Sequence, residues 1–502
     1  MSASLPSCSR PLYAVIDLGS NSFHMLISRL VADSVQVVDK VKRKVRLASG
    51  LDDENVLDQQ AMARGWECLS FFAERLQDIP AENIKIVATA TLRLAVNSAE
   101  FIRKAEAILK HKVHLISGIE EAHNIYLGVA HTTSGVDKRL VIDIGGASTE
   151  LIAGSGFEVI QACSLDMGCV TFNNKFFADG VLDQSGFANA IRSAMATLKN
   201  QQQVYQAIGW DIALGVSGTL QAVAEVLTAQ GKLQRITLAN LNDIQQQVIR
   251  CKHIDKLNVV GLEAERKPVF ASGVAILTAI FTTFSITQVH LAGGAIREGL
   301  LYELLPNMRN VDIRQRTLTG LIERFSIDER HAYRVASIAK ETFAQIRDSW
   351  HLTDELEMLL QSACVLHEIG LSLEYKGNKK HAEYILDNAD IAGFSNAERK
   401  LLIALVANYK TDVNQQVLER QSLIGQRQAS YLIFILRIAV ILAKRRRDDV
   451  MPDITISSID NTVELTLPNT FLSKHPLISA ELKQEISDIS ELGLTLSIIR
   501  SE

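Results

Sequence analysis

The chain has 502 residues, enough for roughly three domains of about 150 residues each. Its 47% apolar and 22% charged residues exclude a disordered or fibrous chain. A net charge of −5 excludes a chain-wide pull toward nucleic acid or anionic membrane, so an anionic ligand must be met by local positive charge.

Six scattered cysteines (Cys8, Cys68, Cys163, Cys169, Cys251, Cys364) form no C-x-x-C, which points to a reducing cytosol. The opening "MSASLPSCSRP" lacks a basic region followed by an apolar core, so no signal peptide is expected.

The first element, "LYAVIDLG", is a short buried strand ending on Asp17. The residues after it, "SNSFHMLISRL", read as a second strand, giving a hairpin with Asp17, Gly19, Ser20, Asn21 and Ser22 at its tip. In "KVKRKVR", Lys40, Lys42, Lys44 and Arg46 share one face of a strand. They either line the approach to a cleft or protect a sheet edge by charge, and the sequence leaves both open. "AMARGWECLSFFAERLQ" and "SAEFIRKAEAILK" read as amphipathic helices, and the strand "NIKIVATA" leads to Arg93. "SGIEEA" opens a helix with the capping-box pattern S-x-x-E, which gives Glu120 a structural task and leaves Glu121 free.

"VIDIGGASTELI" then repeats the opening hairpin. With Asp17 set on Asp143 (143 − 17 = 126 positions), Gly19 matches Gly145, Ser20 matches Gly146 and Ser22 matches Ser148. Neither copy has the lysine of a P-loop or G-x-G-x-x-G leading into a helix. Glycines let backbone N–H groups wrap phosphate oxygens, and Ser20, Asn21, Ser22, Ser148 and Thr149 add donors. Asp17 and Asp143 repel phosphate; they make sense holding Mg²⁺ or orienting a water, with Glu150 as a further metal-side carboxylate. Two more strand-to-helix glycine turns follow, "GVSGT" with Gly218 and Thr219, and "LAGGAIREGL" with Gly293 and Gly294. The alternation of strands and helices from Tyr13 to about Leu305 argues for an α/β architecture.

From about Pro306 the pattern turns to long helices, such as "RHAYRVASIAKETFAQIRDSW" and "ELEMLLQSACVLHEIG". "YLIFILRIAVILAKRRRDD" imitates a membrane span, but it breaks at Arg437 and stops at Ala443, short of the ~20 residues a span needs. It reads as a buried helix with Lys444 to Arg447 as its solvated end. After Asp449, "DITISSI" and "TVELTLP" alternate with period two and read as a small β-rich tail.

"VIDLGSNS", "VIDIGGAS" and "LAGGAIREG" together resemble the phosphate and adenosine motifs of the actin, sugar kinase and Hsp70 superfamily. Within it, "DLGSNSFHMLI", "SGIEEAHNIYLGV" and "DIGGASTEL" resemble the exopolyphosphatase and guanosine pentaphosphate phosphohydrolase family. "ATATLRLAVN", "RLVIDIGGASTEL" and "RRRDD" look closer to the guanosine pentaphosphate branch; Ala147, in the second phosphate turn, stands where exopolyphosphatases typically carry a third Gly.

The resemblance implies two actin-like (ribonuclease H-like) α/β lobes, 12–126 and 127–305, around a central cleft. A helical HD-like domain, 306–447, and a small α+β domain, 448–502, follow. It implies removal of the terminal phosphate of pppGpp to give ppGpp by water and Mg²⁺, with inorganic polyphosphate as second substrate. Glu121 matches the family's catalytic glutamate and Arg93 its phosphate-contacting arginine. The competing expectations are a dedicated exopolyphosphatase and a ppGpp-binding sensor. In the HD-like part, His331 and the pair His367-Glu368 stand for the metal ligands, but Glu replaces the defining Asp and Asn408 stands where His is usual. That module is expected to be degenerate, packing and dimerising rather than binding metal. A cytoplasmic homodimer with no nucleic acid and no membrane partner completes the expectation.

Overall fold

The two aspartate-ended runs build the same hairpin twice. Strand β1 (Leu12–Leu18) pairs antiparallel with β2 (Ser22–Val31), and β6 (Lys138–Ile144) pairs antiparallel with β7 (Thr149–Ser155). Each hairpin then grows into a five-stranded sheet of the same order. The first is β3 (Ser34–Lys44), β2, β1, β4 (Ile84–Ala88), β5 (His114–Leu115). The second is β8 (Glu158–Leu165), β7, β6, β9 (Ile212–Val216), β10 (His290–Leu291). In each, the last two strands run parallel to the central one. The internal duplication is therefore a duplication of topology as well as of motif. The computed structural model describes residues 11–501 apart from 32–33, 53, 134–137, 234, 306–311, 390, 448–452 and 460.

Strand alternation assigns the faces. Ala14, Ile16 and Leu18 point to one side, where α1 (Gln59–Leu76) and α3 (Ser98–Leu109) bury Trp66 and Phe101; the short α2 (Ala90–Leu94) follows β4. Leu140, Ile142 and Ile144 point into the second lobe's core with α5 (Cys169–Phe176), α6 (Gln184–Ile208), α7 (Ser217–Ala229), α8 (Leu238–Arg250) and α9 (Lys267–Phe284). Val15 and its repeat equivalent Val141 face the other way, into a layer between the sheets. That layer is filled by α4 (Gly118–Ala130) and α10 (Ile296–Leu304). Asp17 and Asp143 lie two residues beyond these valines, so both carboxylates leave their strands on the inter-sheet side.

The two middle helices touch through backbone. A Cβ at Gly128 would stand 2.0 Å from the Ala295 carbonyl oxygen, and one at Gly299 would stand 1.8 Å from that of Asn124. Only glycine permits that approach. Among the described residues one helix, α9, is long and apolar enough to cross a membrane; its side chains are mostly buried in the second lobe's core, as expected of a helix that is apolar all round.

The chain divides into two compact units, Met1–Leu30 with Val35–Ile313, and Val31–Ser34 with Arg314–Glu502. The second unit carries α11 (Ile313–Arg324), α12 (Glu329–Ile346), α13 (Asp354–Leu366), α14 (Asn378–Asn388), α15 (Asn396–Ala407), α16 (Gln415–Arg420) and α17 (Gln426–Leu442). A three-stranded sheet of β11 (Thr455–Ile459), β12 (Thr462–Pro468) and β13 (Thr495–Ser501) follows, with α18 (Asn469–Lys474) and α19 (Pro476–Asp488). The expected tail is there, but it has no core of its own: Val463, Leu465 and Leu482 pack into one cluster with Phe434 and Leu436 of α17.

The span-like run is α17, and the arginine that interrupts it ties the tail down. Arg437 is buried, with both its Nε and Nη2 donating to the Glu485 carboxylate of α19, at 2.6 and 2.8 Å. The basic end beyond it is not simply solvated, as expected: Lys444 pairs with Glu481, and Arg446 with Asp328 and Glu368.

Candidate active site

The hairpin tips of the two lobes meet. A Cβ at Gly146 would come within 2.8 Å of the Ser20 Cβ, so the second turn must stay bare for the first to approach. Each tip is braced from behind. The Asn21 carbonyl accepts from the amides of Val45 and Arg46, and the Ser20 carbonyl from Ala48. The Gly145 and Gly146 carbonyls accept from Cys169 and Val170, at the start of α5. The tips border a cavity of about 580 Å³ lined by both turns, the α7 start and the loop before α10.

Five carboxylates line this cavity; Glu298 caps the Ala295 amide, and the other four come from the strands and α4. Asp17 and Asp143 come from the ends of equivalent strands, Glu150 lies directly across the strand pair from Asp143, and Glu121 comes from the first turn of α4. The capping box forms as expected: Ser117 caps the Glu120 amide and the Glu120 carboxylate accepts from the Ser117 amide. Glu121 then turns inward, where it is only 9% exposed and takes a 2.7 Å hydrogen bond from Nη1 of Arg93. Glu150 is held by Ser164, whose hydroxyl donates at 2.7 Å.

Packing four acids together costs ionisation. Burial first, then the neighbouring Glu121 charge, pushes Asp17 and Asp143 up to about 7, with Arg297 opposing in both cases. Burial, then Glu121 and Asp143, pushes Glu150 well above the carboxylate range. Burial raises Glu121 itself, against the pull of Arg93. An added cation would relieve this crowding.

Cations rim the same space. Lys40, Lys42, Arg266 and Arg297 all line it. Partial burial, then repulsion from Arg266 and Lys44, lowers the Lys42 pKa, the mark of positive charges gathered with too few partners. Lys44 is paired with Glu265 at 2.7 Å. Arg46 does not share their face. The strand ends at Lys44, and Arg46 takes a left-handed conformation (φ 52°) that bends the chain over the first tip. Strand β3 is also the sheet edge, so both readings of the basic strand apply to its lysines.

The structure gathers most of the expected residues. Gly19, Ser20, Asn21, Ser22, Gly145, Gly146, Ser148, Gly218, Thr219, Gly293 and Gly294 all line the cavity. Ser22 Oγ is buried without a hydrogen-bond partner among the described residues. Ala147 is buried away from the cavity lining, and the Thr149 hydroxyl is not a free donor, being spent on the Met167 carbonyl. Arg93 is turned to Glu121 and the Ile116 carbonyl rather than to the cavity. Sequence reasoning missed His24, Arg266, Arg297 and Ser217. The last takes φ 76° at the β9–α7 junction, a conformation rare outside glycine. His24 was signalled by occupying the repeat position of Glu150, and Ser217 and Arg297 by lying inside the turns "GVSGT" and "LAGGAIREGL"; Arg266 carried no signal.

The donor set suits a hard divalent cation: oxygen ligands only, in a space that also admits phosphate. Asp17, Asp143 and Glu150 are not drawn into a closed cage. Among the described residues, three ligating atoms within 4.8 Å of one another occur only at His331, His367 and Glu368 in the second unit. There the Glu368 carboxylate is taken by Arg446 at 2.5 Å, and the His367 Nδ1 meets the Cys364 carbonyl at 2.6 Å, while its Nε2 has no partner. Asn408 is engaged on both sides, donating to the Ala404 carbonyl and accepting from the Asn414 amide.

A duplicated two-lobed fold that closes two glycine tips over buried acids, under a basic rim, defines an enzyme of phosphoric anhydrides. Residues 26–308 match the Ppx/GppA phosphatase family and residues 313–486 match Ppx/GppA phosphatase domain III, so the chain belongs to the Ppx/GppA phosphatase family. It is 49% identical over 484 residues to the guanosine-5'-triphosphate,3'-diphosphate pyrophosphatase of Aeromonas hydrophila, covering 96% of this chain and 98% of that protein. The protein of the same name from Aeromonas salmonicida is equally similar, with the same coverage. Among solved structures, an exopolyphosphatase from Cytophaga hutchinsonii shares the fold at a TM-score of 0.55 and 21% identity, covering 59% of this chain and 98% of that one.

Proposed function

We propose that the chain hydrolyses the terminal 5'-phosphate of pppGpp to give ppGpp, and that inorganic polyphosphate is a second substrate. One observation carries the reading: the paired tips, with bare Gly146 against Ser20, bring two phosphate-wrapping turns together beside a buried carboxylate, Glu121. The 49% identity to pppGpp pyrophosphatases over nearly the whole chain supports the nucleotide over polyphosphate as main substrate.

In this reading Glu121 orients a water and takes its proton as the water oxygen bonds to the terminal phosphorus. The bond from that phosphorus to its bridging oxygen breaks, inorganic phosphate leaves, and the remaining nucleotide keeps the bridging oxygen. Burial favours the base by raising its pKa; Arg93 fixes its direction and opposes that rise. The backbone amides of 19–22 and 145–148, with the Ser22 and Ser148 hydroxyls, wrap the phosphate chain, and Lys42 and Arg266 meet its charge. Asp17, Asp143 and Glu150 would hold Mg²⁺, which when bound offsets charge on phosphate oxygens. The four-part division at 126, 305 and 447, a nucleoside seat at Gly293 and Gly294, an HD-like ancestry for the helical half, and a cytoplasmic homodimer belong to the same proposal.

The test is phosphate release with Mg²⁺ from pppGpp, GTP and long polyphosphate side by side. Fastest release from pppGpp is the expected result; cleavage of long polyphosphate with none of pppGpp would make the enzyme a dedicated exopolyphosphatase. Tight ppGpp binding without turnover of either would make it a sensor.

A further inference from the structure

Positions 24 and 150 are the same place in the repeat, each directly across its strand pair from the aspartate, Asp17 or Asp143. The second copy fills that place with Glu150 and the first with His24. His24 lines the cavity, and its Nδ1 stands 2.9 Å from Nη1 of Arg297, in the first turn of α10. A guanidinium can only donate, so Nδ1 accepts, and the ring carries its single proton on Nε2.

The contrast with Arg93 is informative. Arg93 is held by a carboxylate, so its charge is largely spent within the protein. Arg297 is held by a neutral ring, which orients the guanidinium and leaves its charge intact. That charge reaches the catalytic acids, since Arg297 opposes the upward shift of both Asp17 and Asp143. Burial, then Arg297, Lys42, Lys40 and Arg266, pushes the His24 pKa down to about 3, which keeps the ring neutral in any working buffer. A glutamate there, as in the other copy, would neutralise Arg297 and add a further acid to the cavity.

Resting on the hydrolase reading above, we propose that His24 is a positioning residue, which aims Arg297 into the cavity without neutralising it, so that the full guanidinium charge meets the oxygens of the phosphate being transferred. The asymmetry of the repeat then has a purpose: one copy sets a carboxylate beside its aspartate, the other a neutral acceptor that holds a cation.

The test measures kcat and KM for pppGpp with Mg²⁺ on the purified full chain, with thermal unfolding alongside. Arg297→Gln should lower kcat by roughly 10²-fold or more, on the scale of one lost transition-state donor. His24→Ala should lower kcat about tenfold with KM little changed, through misaimed charge. His24→Asn, whose amide oxygen can replace Nδ1 as a neutral acceptor, should recover most of that loss. His24→Glu should fall to the level of Arg297→Gln. In the double variant H24A/R297Q, the His24 penalty should vanish, because the residue acts through Arg297.

Wild-type kcat in a folded His24→Glu, a folded His24→Asn as slow as His24→Ala, or full additivity in the double variant would each overturn the inference. Should His24→Glu fail to fold, the double variant decides alone. A wild-type chain that releases no phosphate from pppGpp or polyphosphate overturns the hydrolase reading instead, and this inference with it.

Discussion

Glu121→Gln should move activity and stability in opposite directions. The amide cannot take a proton from water, and loss of a general base costs roughly 10²-fold or more in kcat, about 2.7 kcal/mol of barrier per 10². Its effect on the fold is different. Glutamine has the same shape and keeps an oxygen to accept from Arg93, so the 2.7 Å contact survives without its ionic part. With side-chain exposures of 21% and 12%, that ionic part is worth about 1 kcal/mol once solvent screening is allowed for. Against this loss stands relief of repulsion. After burial, Glu121 is the largest cause of the raised pKa of Asp17, Asp143 and Glu150. Unfolding stability at pH 8 is therefore expected within about 1 kcal/mol of wild type, or above it. Phosphate release from pppGpp and chemical denaturation at pH 8 measure the two quantities. Near-wild-type turnover would remove Glu121 from the mechanism, and a stability loss of several kcal/mol would show that the acids do not repel as described.

Arg93→Ala should slow turnover about tenfold and move the acid limb of the pH–rate profile upward, because Arg93 lowers the pKa of Glu121; an unmoved limb would separate the two residues. Asp17 and Asp143 rise from the ordinary 3.8 to about 7 on folding, so their contribution to stability is full at acid pH and lost as pH climbs through 7. Metal-free Tm should thus fall between about pH 5 and 8, and Mg²⁺ should raise Tm more at pH 8 than at pH 6, where it competes with protons; a pH-independent Mg²⁺ shift would count against these ligands. Gly146→Ala puts a methyl 2.8 Å from the Ser20 Cβ and should part the tips, cutting kcat tenfold or more with Tm nearly unchanged; full activity would mean the tips need not meet. Arg437→Met leaves Glu485 buried and unpaired and should cost about 3–5 kcal/mol by denaturation, much of it recovered by adding Glu485→Leu.

The legible parts of this molecule were those written locally. An apolar run stopped by aspartate and glycine is a hairpin in any context, and two of them 126 positions apart announce a repeated lobe. The capping box separated Glu120 from Glu121 before any coordinates, because the box uses only neighbours within one helical turn. What stayed hidden depends on distant chain. Arg266 and Arg297 reach the cavity from helix starts more than a hundred residues beyond either turn; "LAGGAIREGL" contains Arg297 without giving its side chain a task, and nothing around Arg266 marks it off from surface arginines. Arg46 was misread because period two cannot show where a strand stops. Nor could sequence tell that Arg446 would take up the Glu368 carboxylate, or that the tail would have no core of its own.

Helix α4 carries Glu121 in its first turn and, two turns on, the bare backbone of Gly128 against Ala295, next to the Gly293–Gly294 loop. Seven residues of helix make a stiff lever about 10 Å long. In the proposed mechanism, a ligand that settled against that loop would press on the same lever that ends in Glu121. Gripping the far end of a ligand and aiming the water at its near end would then be two readings of one rigid displacement, and a poorly gripped molecule would find the acceptor out of line.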